Sequence, residues 1–194
     1  AGNHSKIFDM PCGRGCTLRS ELEKLGYKYF ILGPQDNNNP VSVTTAVISK
    51  LKLKQQRPVS IQSKTYTASA RDIQVVESQF GSWRLLIFNG HWKSKRSATS
   101  EFERIATAKK IKQRVEEEKQ RNPKTHFIIT GDLNTAYYEK PLKVLGSTGD
   151  ESLMLNTKRT NLFYNLWYEL PEHSRWEHSY NGLRNTLSHI LISD

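Results

Sequence analysis

His126-Phe127-Ile128-Ile129-Thr130-Gly131-Asp132-Leu133-Asn134 is the stretch on which the reading of the fold turns. It opens as a short apolar run of the kind buried inside a sheet and ends in glycine, aspartate and asparagine. Polar residues at the end of a buried strand are a common way to build a site on an α/β scaffold. While the chain stays extended, a spacing of two puts the Asp132 and Asn134 side chains on one side. The carboxylate can hold a metal or a water, and the amide can donate to an anion. The same residue types also make plain turns, so the tetrapeptide has to be read with its surroundings.

Immediately upstream the period changes. Phe102, Ile105, Ala108, Ile111 and Val115 recur every three or four residues, which predicts a charged helix with one apolar stripe, Ser100 as its N-cap and Asn122-Pro123 as its end. Before that helix, Asn89-Gly90-His91-Trp92-Lys93-Ser94-Lys95 reads as a strand end running into a cationic loop. Arg84 to Asn89, Ile73 to Phe80 and Ser60 to Thr67 are strand candidates, with Gly81-Ser82 as a tight turn, so the middle of the chain is expected to be antiparallel β. Leu18 to Leu25 predicts a helix stopped by Gly26. Tyr27 to Leu32 and Val41 to Ile48 read as extended, flanking a polar loop with three asparagines. Leu162 to Leu170 is aromatic-rich, and Leu187 to Ile192 closes the chain as another strand.

A chain of 194 residues is enough for one domain with its own core, and residues 1–194 are read as a single domain. No apolar run is long enough to cross a membrane. The net charge of +10 points to a polyanionic partner or an anionic membrane surface. The excess is densest from His91 to Arg121, where 10 basic residues meet 5 acidic ones, and is absent from the last 45 residues, with 4 against 6. Lys93, Lys95 and Arg96 stand out, because three cations in a short loop repel one another until an anion arrives. Two cysteines, Cys12 and Cys16, are too few to build a scaffold and are expected to be ordinary thiols. The N-terminus lacks the build of a secretion signal, which leaves a cytoplasmic protein or one secreted after signal removal.

The order of these fragments resembles the endonuclease/exonuclease/phosphatase family. Thr45-Ala46-Val47-Ile48-Ser49, Asn89-Gly90-His91-Trp92-Lys93-Ser94, a helix, Ile129-Thr130-Gly131-Asp132-Leu133-Asn134 and Leu187-Ser188-His189-Ile190-Leu191-Ile192-Ser193 follow its sequence of motifs, from about Gly26 to Asp194. The runs at His91 and at Tyr180-Asn181-Gly182-Leu183-Arg184 look most like bacterial nuclease members. The resemblance implies an α+β fold: a mostly antiparallel two-sheet β-sandwich flanked by helices, deoxyribonuclease I-like, incomplete at both ends. It implies that Asp132 orients the attacking water or a metal, that Asn134 bonds the scissile phosphate, and that His91 contacts a non-bridging oxygen. Asn89, Lys93, Lys95 and Arg96 are the expected phosphate-binding residues. Magnesium, or manganese or calcium in its place, is the expected ion, since all-oxygen ligation suits it.

Three family features are missing from the sequence: the Gln-Glu pair that supplies a metal-binding Glu, an Asp where Ser188 stands, and the Ser-Asp-His strand that carries the catalytic imidazole. Asp9 with His4, Cys12 and Cys16 is a weak substitute metal site, and His189 reads as structural. The sequence therefore predicts a metal-dependent nuclease, with DNA favoured over RNA. A non-catalytic polyanion binder is the alternative, and a phosphatase or sphingomyelinase-type phosphodiesterase a further one.

Overall fold

The computed structural model of the protein describes residues 8–9, 15–34, 44–61, 71–97, 99–155 and 161–193. The chain runs α1 (Leu18–Lys24), β1 (Tyr29–Leu32), β2 (Ala46–Ser49), β3 (Leu53–Gln55), β4 (Gln74–Phe80), β5 (Trp83–His91), α2 (Ser100–Arg121) and β6 (Thr125–Asp132). It continues through α3 (Lys140–Leu145), β7 (Ser147–Thr148), α4 (Glu151–Met154), β8 (Phe163–Asn165), two 3-10 turns (Leu166–Glu169 and Glu172–Ser174), β9 (His178–Tyr180), β10 (Leu183–Asn185) and β11 (Ser188–Ile192). Seven strands form one sheet in the order β3-β4-β5-β6-β11-β8-β7, and β1-β2 and β9-β10 make two separate hairpins. This is an α+β architecture of the deoxyribonuclease I-like kind.

Alternation along the strands assigns the two faces of the sheet. Leu86 and Phe88 of β5, Phe127 and Ile129 of β6 and Leu191 of β11 are fully buried in one cluster with Ala108, Ile111 and Val115 of α2 and Leu142 and Leu145 of α3. Burying a side chain of this size stabilises by about 1.5–3 kcal/mol, so this helix-backed face anchors the fold. The opposite face carries Asn89, His91, Thr130, Asp132 and Ser188. The β1-β2 hairpin is tied to the sheet on this side, where the Gln74 amide donates to Ile31 O (3.0 Å) and Thr45 Oγ1 donates to Gln74 Oε1 (3.1 Å).

Several sequence expectations are adjusted. The β4-β5 hairpin is antiparallel as expected, but β5 pairs with β6 in parallel, joined by the crossover helix α2. Within α2, Phe102 is 70% exposed, while Arg104, Thr107, Ala108, Ile111, Val115 and Glu118 are buried. Thr99, not Ser100, is the N-cap, and Ser100 Oγ donates back to Ser97 O (2.7 Å). Cys16 is disulfide-bonded rather than a thiol, which removes it as a thiolate ligand, and Asp9 is paired with Arg19 at 2.8 Å. The substitute metal site proposed around these two residues therefore fails. His4 and Cys12 lie outside the described residues, as does most of the Ser60 to Thr67 strand and the start of Val41 to Ile48. Among the described residues no helix is long and apolar enough to cross a membrane.

Candidate functional site

The site begins with two glycines. In the parallel β5-β6 ladder Gly90 pairs with Gly131 and His91 with Asp132. Gly131 has φ of 120°, and a Cβ there would collide with Gly90 O, so only glycine lets the strand ends approach this closely. On the other side of β6, Ser188 of β11 pairs with Asp132. Directly paired residues share a face, so His91, Asp132 and Ser188 stand in a row across three strands spaced about 4.8 Å apart.

Asp132 is held from two sides. Its Oδ1 accepts the Asn134 backbone N–H (3.0 Å), and its Oδ2 lies 3.5 Å from His91 Nε2. Asn134 makes this possible by adopting a left-handed φ of 48°, which asparagine tolerates better than most residues. Its side-chain amide donates to Trp92 O (3.1 Å), locking the turn against the end of β5. Burial and then the Arg71 charge lower the His91 pKa, against an upward pull from Asp132. The imidazole is therefore neutral near pH 7 and offers one N–H to an anionic oxygen.

The other sequence-predicted residues are dispersed around this row. Asn89 spends its amide on Ala46 O (3.1 Å) and Gln74 Oε1 (3.2 Å), bracing the β1-β2 hairpin beside the site. Lys95 is ion-paired with Glu139 at 2.7 Å. Burial would raise the Glu139 pKa, but hydrogen bonds from Lys95, the Ala136 N–H and Thr135 Oγ1 outweigh it and hold the carboxyl below its ordinary value. Arg96 is exposed and Lys93 half-buried. His189 points to the helix-backed face, 2% exposed, with Nε2 donating to Thr135 O (2.7 Å) and Nδ1 accepting from Asn165 (3.2 Å). Burial lowers its pKa further, so it is a neutral structural group.

A cavity of about 480 Å³ opens beside the row, walled by Thr130, Asp132, Trp167, Glu177, Ser188 and Ile190. Trp167 Nε1 donates to Ser188 O (2.7 Å). Glu177 Oε1 accepts the N–H groups of both Leu187 (2.7 Å) and Ser188. Neither Trp167 nor Glu177 was a sequence candidate. Both are distant from the Asp132 motif along the chain, and no spacing rule connects them to it. A divalent cation of the magnesium type needs several oxygen ligands. Among the described residues no group of three or more His, Cys, Asp or Glu side chains is placed to hold one. Of the row residues only Asp132 offers a carboxylate, so the described residues do not by themselves fit a metal centre.

An imidazole, a carboxylate and a hydroxyl thus stand in a row at one end of a helix-backed, mostly antiparallel sheet of the deoxyribonuclease I-like kind. The sequence profile of the Endonuclease/Exonuclease/phosphatase family matches residues 19–194, and the chain belongs to that family. Members of the family are generally divalent-metal dependent. Among solved structures, 91% of the chain superposes on 65% of Danio rerio TDP2 complexed with single strand DNA product (TM-score 0.60, 16% identity). It covers 64% of the human Nocturnin catalytic domain with bound sulfate anion (TM-score 0.58, 20% identity). It covers 68% of a β-hairpin deletion mutant of Staphylococcus aureus beta toxin (TM-score 0.57, 18% identity). The chain thus spans about two thirds of the length of these structures. No curated protein matches it.

Proposed function

We propose that residues 1–194 form one domain that hydrolyses phosphodiester bonds of nucleic acid, DNA before RNA. The observation that carries this reading is the row of His91, Asp132 and Ser188 at the strand ends, next to the loop of Lys93, Lys95 and Arg96. Hydrolysis concentrates negative charge on the phosphoryl oxygens, which donors must stabilise while a carboxylate positions the water. In this reading the neutral His91 donates to a non-bridging oxygen and Asp132 orients the water. Asn134, expected to bond the scissile phosphate, has its buried side-chain amide on Trp92 O and instead positions Asp132 through its backbone N–H, and the loop of Lys93, Lys95 and Arg96 holds the flanking phosphates. The likeness to a structure that contains a single strand DNA product supports the choice of substrate class. Magnesium is the first ion to supply in an assay, with manganese and calcium beside it.

Nicking of supercoiled plasmid in magnesium, comparing the chain with Asp132→Ala, tests the reading. Turnover is expected from the first and a loss of at least about 100-fold from the second. Equal background from both sinks it. The single carboxylate in the row and the serine at 188 favour a second reading, a family member that binds nucleic acid without cleaving it. That reading predicts salt-sensitive DNA binding with no nicked product.

A further inference from the structure

On the helix-backed side of the sheet, away from the row, a groove of about 330 Å³ runs between α2 and residues 57–60, which lie along the edge of β4. That segment is held at several points. The Gln56 N–H donates to Val75 O (2.9 Å), Val59 and Ile73 exchange both backbone hydrogen bonds (3.0 Å each), and the Ile61 N–H donates to Asp72 Oδ1 (2.9 Å). Lys110, Arg114 and Glu117, spaced four and three residues apart, share the flank of α2 that forms the other wall.

Positive charge collects in this groove and is left largely unneutralised. Arg57 is exposed, and its guanidinium has no ion pair or hydrogen bond among the described residues. Lys110 Nζ donates to Ser60 O (2.7 Å), a carbonyl that positions the ammonium without cancelling its charge. Arg114 donates to Arg57 O (3.5 Å) and to Glu118 (2.8 Å), a carboxylate already shared with Arg84 and Arg121. Against these cations the lining sets one carboxylate, Glu117, whose Oε1 accepts from the Gln113 amide (3.0 Å). Cations that face one another across a groove repel until an anion lies between them.

We propose that this groove is a second nucleic-acid site, which grips a phosphodiester backbone apart from the row; it rests on the nucleic-acid reading of the protein. From Lys110 to Glu117 the helix advances about 10 Å at 1.5 Å per residue. One strand of a duplex carries a charge about every 3.4 Å along the axis, so the groove spans about three phosphates, a match for Arg57, Lys110 and Arg114. Contacts of this kind hold a backbone without reading its sequence. A membrane surface fits less well, since it is flat and is gripped by inserted apolar side chains, and the apolar lining here is Pro58 and the buried Val59. A grip separate from the row keeps the nucleic acid on the protein between encounters with the row.

Binding of a fluorescent DNA duplex, followed by anisotropy in EDTA between about 50 and 200 mM salt, tests the groove. Arg57→Ala is expected to lower the slope of log K against log salt by about 0.9. Glu117→Gln keeps the Gln113 hydrogen bond through its amide oxygen but removes the opposing charge, and it is expected to tighten binding at least about twofold at the lowest salt. Both residues line the groove and not the row, so nicking at saturating plasmid in magnesium is expected to stay within about twofold of wild type in both variants. A wild-type slope in Arg57→Ala, or a wild-type affinity in Glu117→Gln, overturns the proposal and leaves the phosphodiesterase reading standing where plasmid is still nicked. Loss of binding in Arg57→Ala that tracks a fall in Tm overturns it as well. Capture by phosphatidylserine vesicles that Arg57→Ala abolishes, with DNA binding unchanged, assigns the groove to a membrane surface instead. Wild type that neither binds nor nicks DNA overturns both.

Discussion

Gly131 shows how much one residue decides. Its φ of 120° and its contact with Gly90 O allow β5 and β6 to end side by side, which brings His91 and Asp132 to 3.5 Å. Gly131→Ala forces either a strained backbone, at about 1–3 kcal/mol, or separation of the two strands. A fall in Tm of at least about 2 °C is expected by calorimetry, together with loss of whatever activity Asp132 supports. His91 makes a second prediction at this scale. Burial and the Arg71 charge lower its pKa, so the imidazole stays neutral until the pH has dropped below the ordinary histidine value. Arg71→Ala removes a positive neighbour that disfavours the protonated ring. The His91 midpoint, followed by NMR, is expected to move up in that variant, and a downward move would contradict the assigned cause.

In helix α2 the apolar pattern placed Ala108, Ile111 and Val115 on the core face correctly and misplaced only Phe102 in the first turn. The stripe from Phe102 through Ile105 ignores what a long polar side chain can do at a partly buried position. Arg104 turns inward, where its guanidinium donates to Lys93 O (3.1 Å) and Ser100 Oγ (3.2 Å), and Phe102 is left in solvent. Ile111→Ala is therefore expected to cost about 2–5 kcal/mol in urea unfolding, and Phe102→Ser less than about 0.5 kcal/mol. The C-terminal end of α2 is fastened by charge. Glu118 accepts from Arg84 of β5 (3.0 Å) and from Arg114 (2.8 Å) and Arg121 (3.3 Å) of its own helix. Burial would raise the Glu118 pKa, but Arg84 and Arg114 outweigh it and hold it below the ordinary value. The folded state thus binds this proton less readily than the unfolded chain. The stabilisation is present above the ordinary glutamate pKa and is lost as the pH falls through the lower folded value. Glu118→Gln is expected to flatten that acid limb of the stability curve and to cost roughly 1.5–3 kcal/mol at neutral pH.

At the scale of the whole molecule, the strand and helix order was legible because each element carries its own period and turn chemistry. Leu18–Lys24, Gln74–Phe80, Thr125–Asp132 and Ser188–Ile192 fall within a residue or two of their expected bounds. The juxtaposition of His91 and Asp132 was legible only through the family order of motifs, since pairing between β5 and β6 depends on the path of α2. Glu177 and the Cys16 disulfide were not legible, because each depends on contacts that local spacing does not encode. The same distinction sharpens the meaning of the charge. Composition assigns the loop after His91 three equivalent cations, but the structure makes them unequal. Lys95 is already neutralised by Glu139, whose other oxygen holds the Ala136 N–H and Thr135 Oγ1. Arg96 is exposed and forms no ion pair among the described residues. A cation that neutralises a phosphate releases counterions and adds about 0.7–0.9 to the slope of log K against log salt. If the loop grips a DNA backbone, Arg96→Ala should reduce that slope by nearly one. Lys95→Ala should change it by much less, because its charge must first leave Glu139. Titrations of a DNA duplex between about 50 and 200 mM salt measure all three slopes. Equal slopes in wild type and Arg96→Ala would move the polyanion contact away from this loop, and a full unit lost in Lys95→Ala would mean that the Glu139 pair opens on binding.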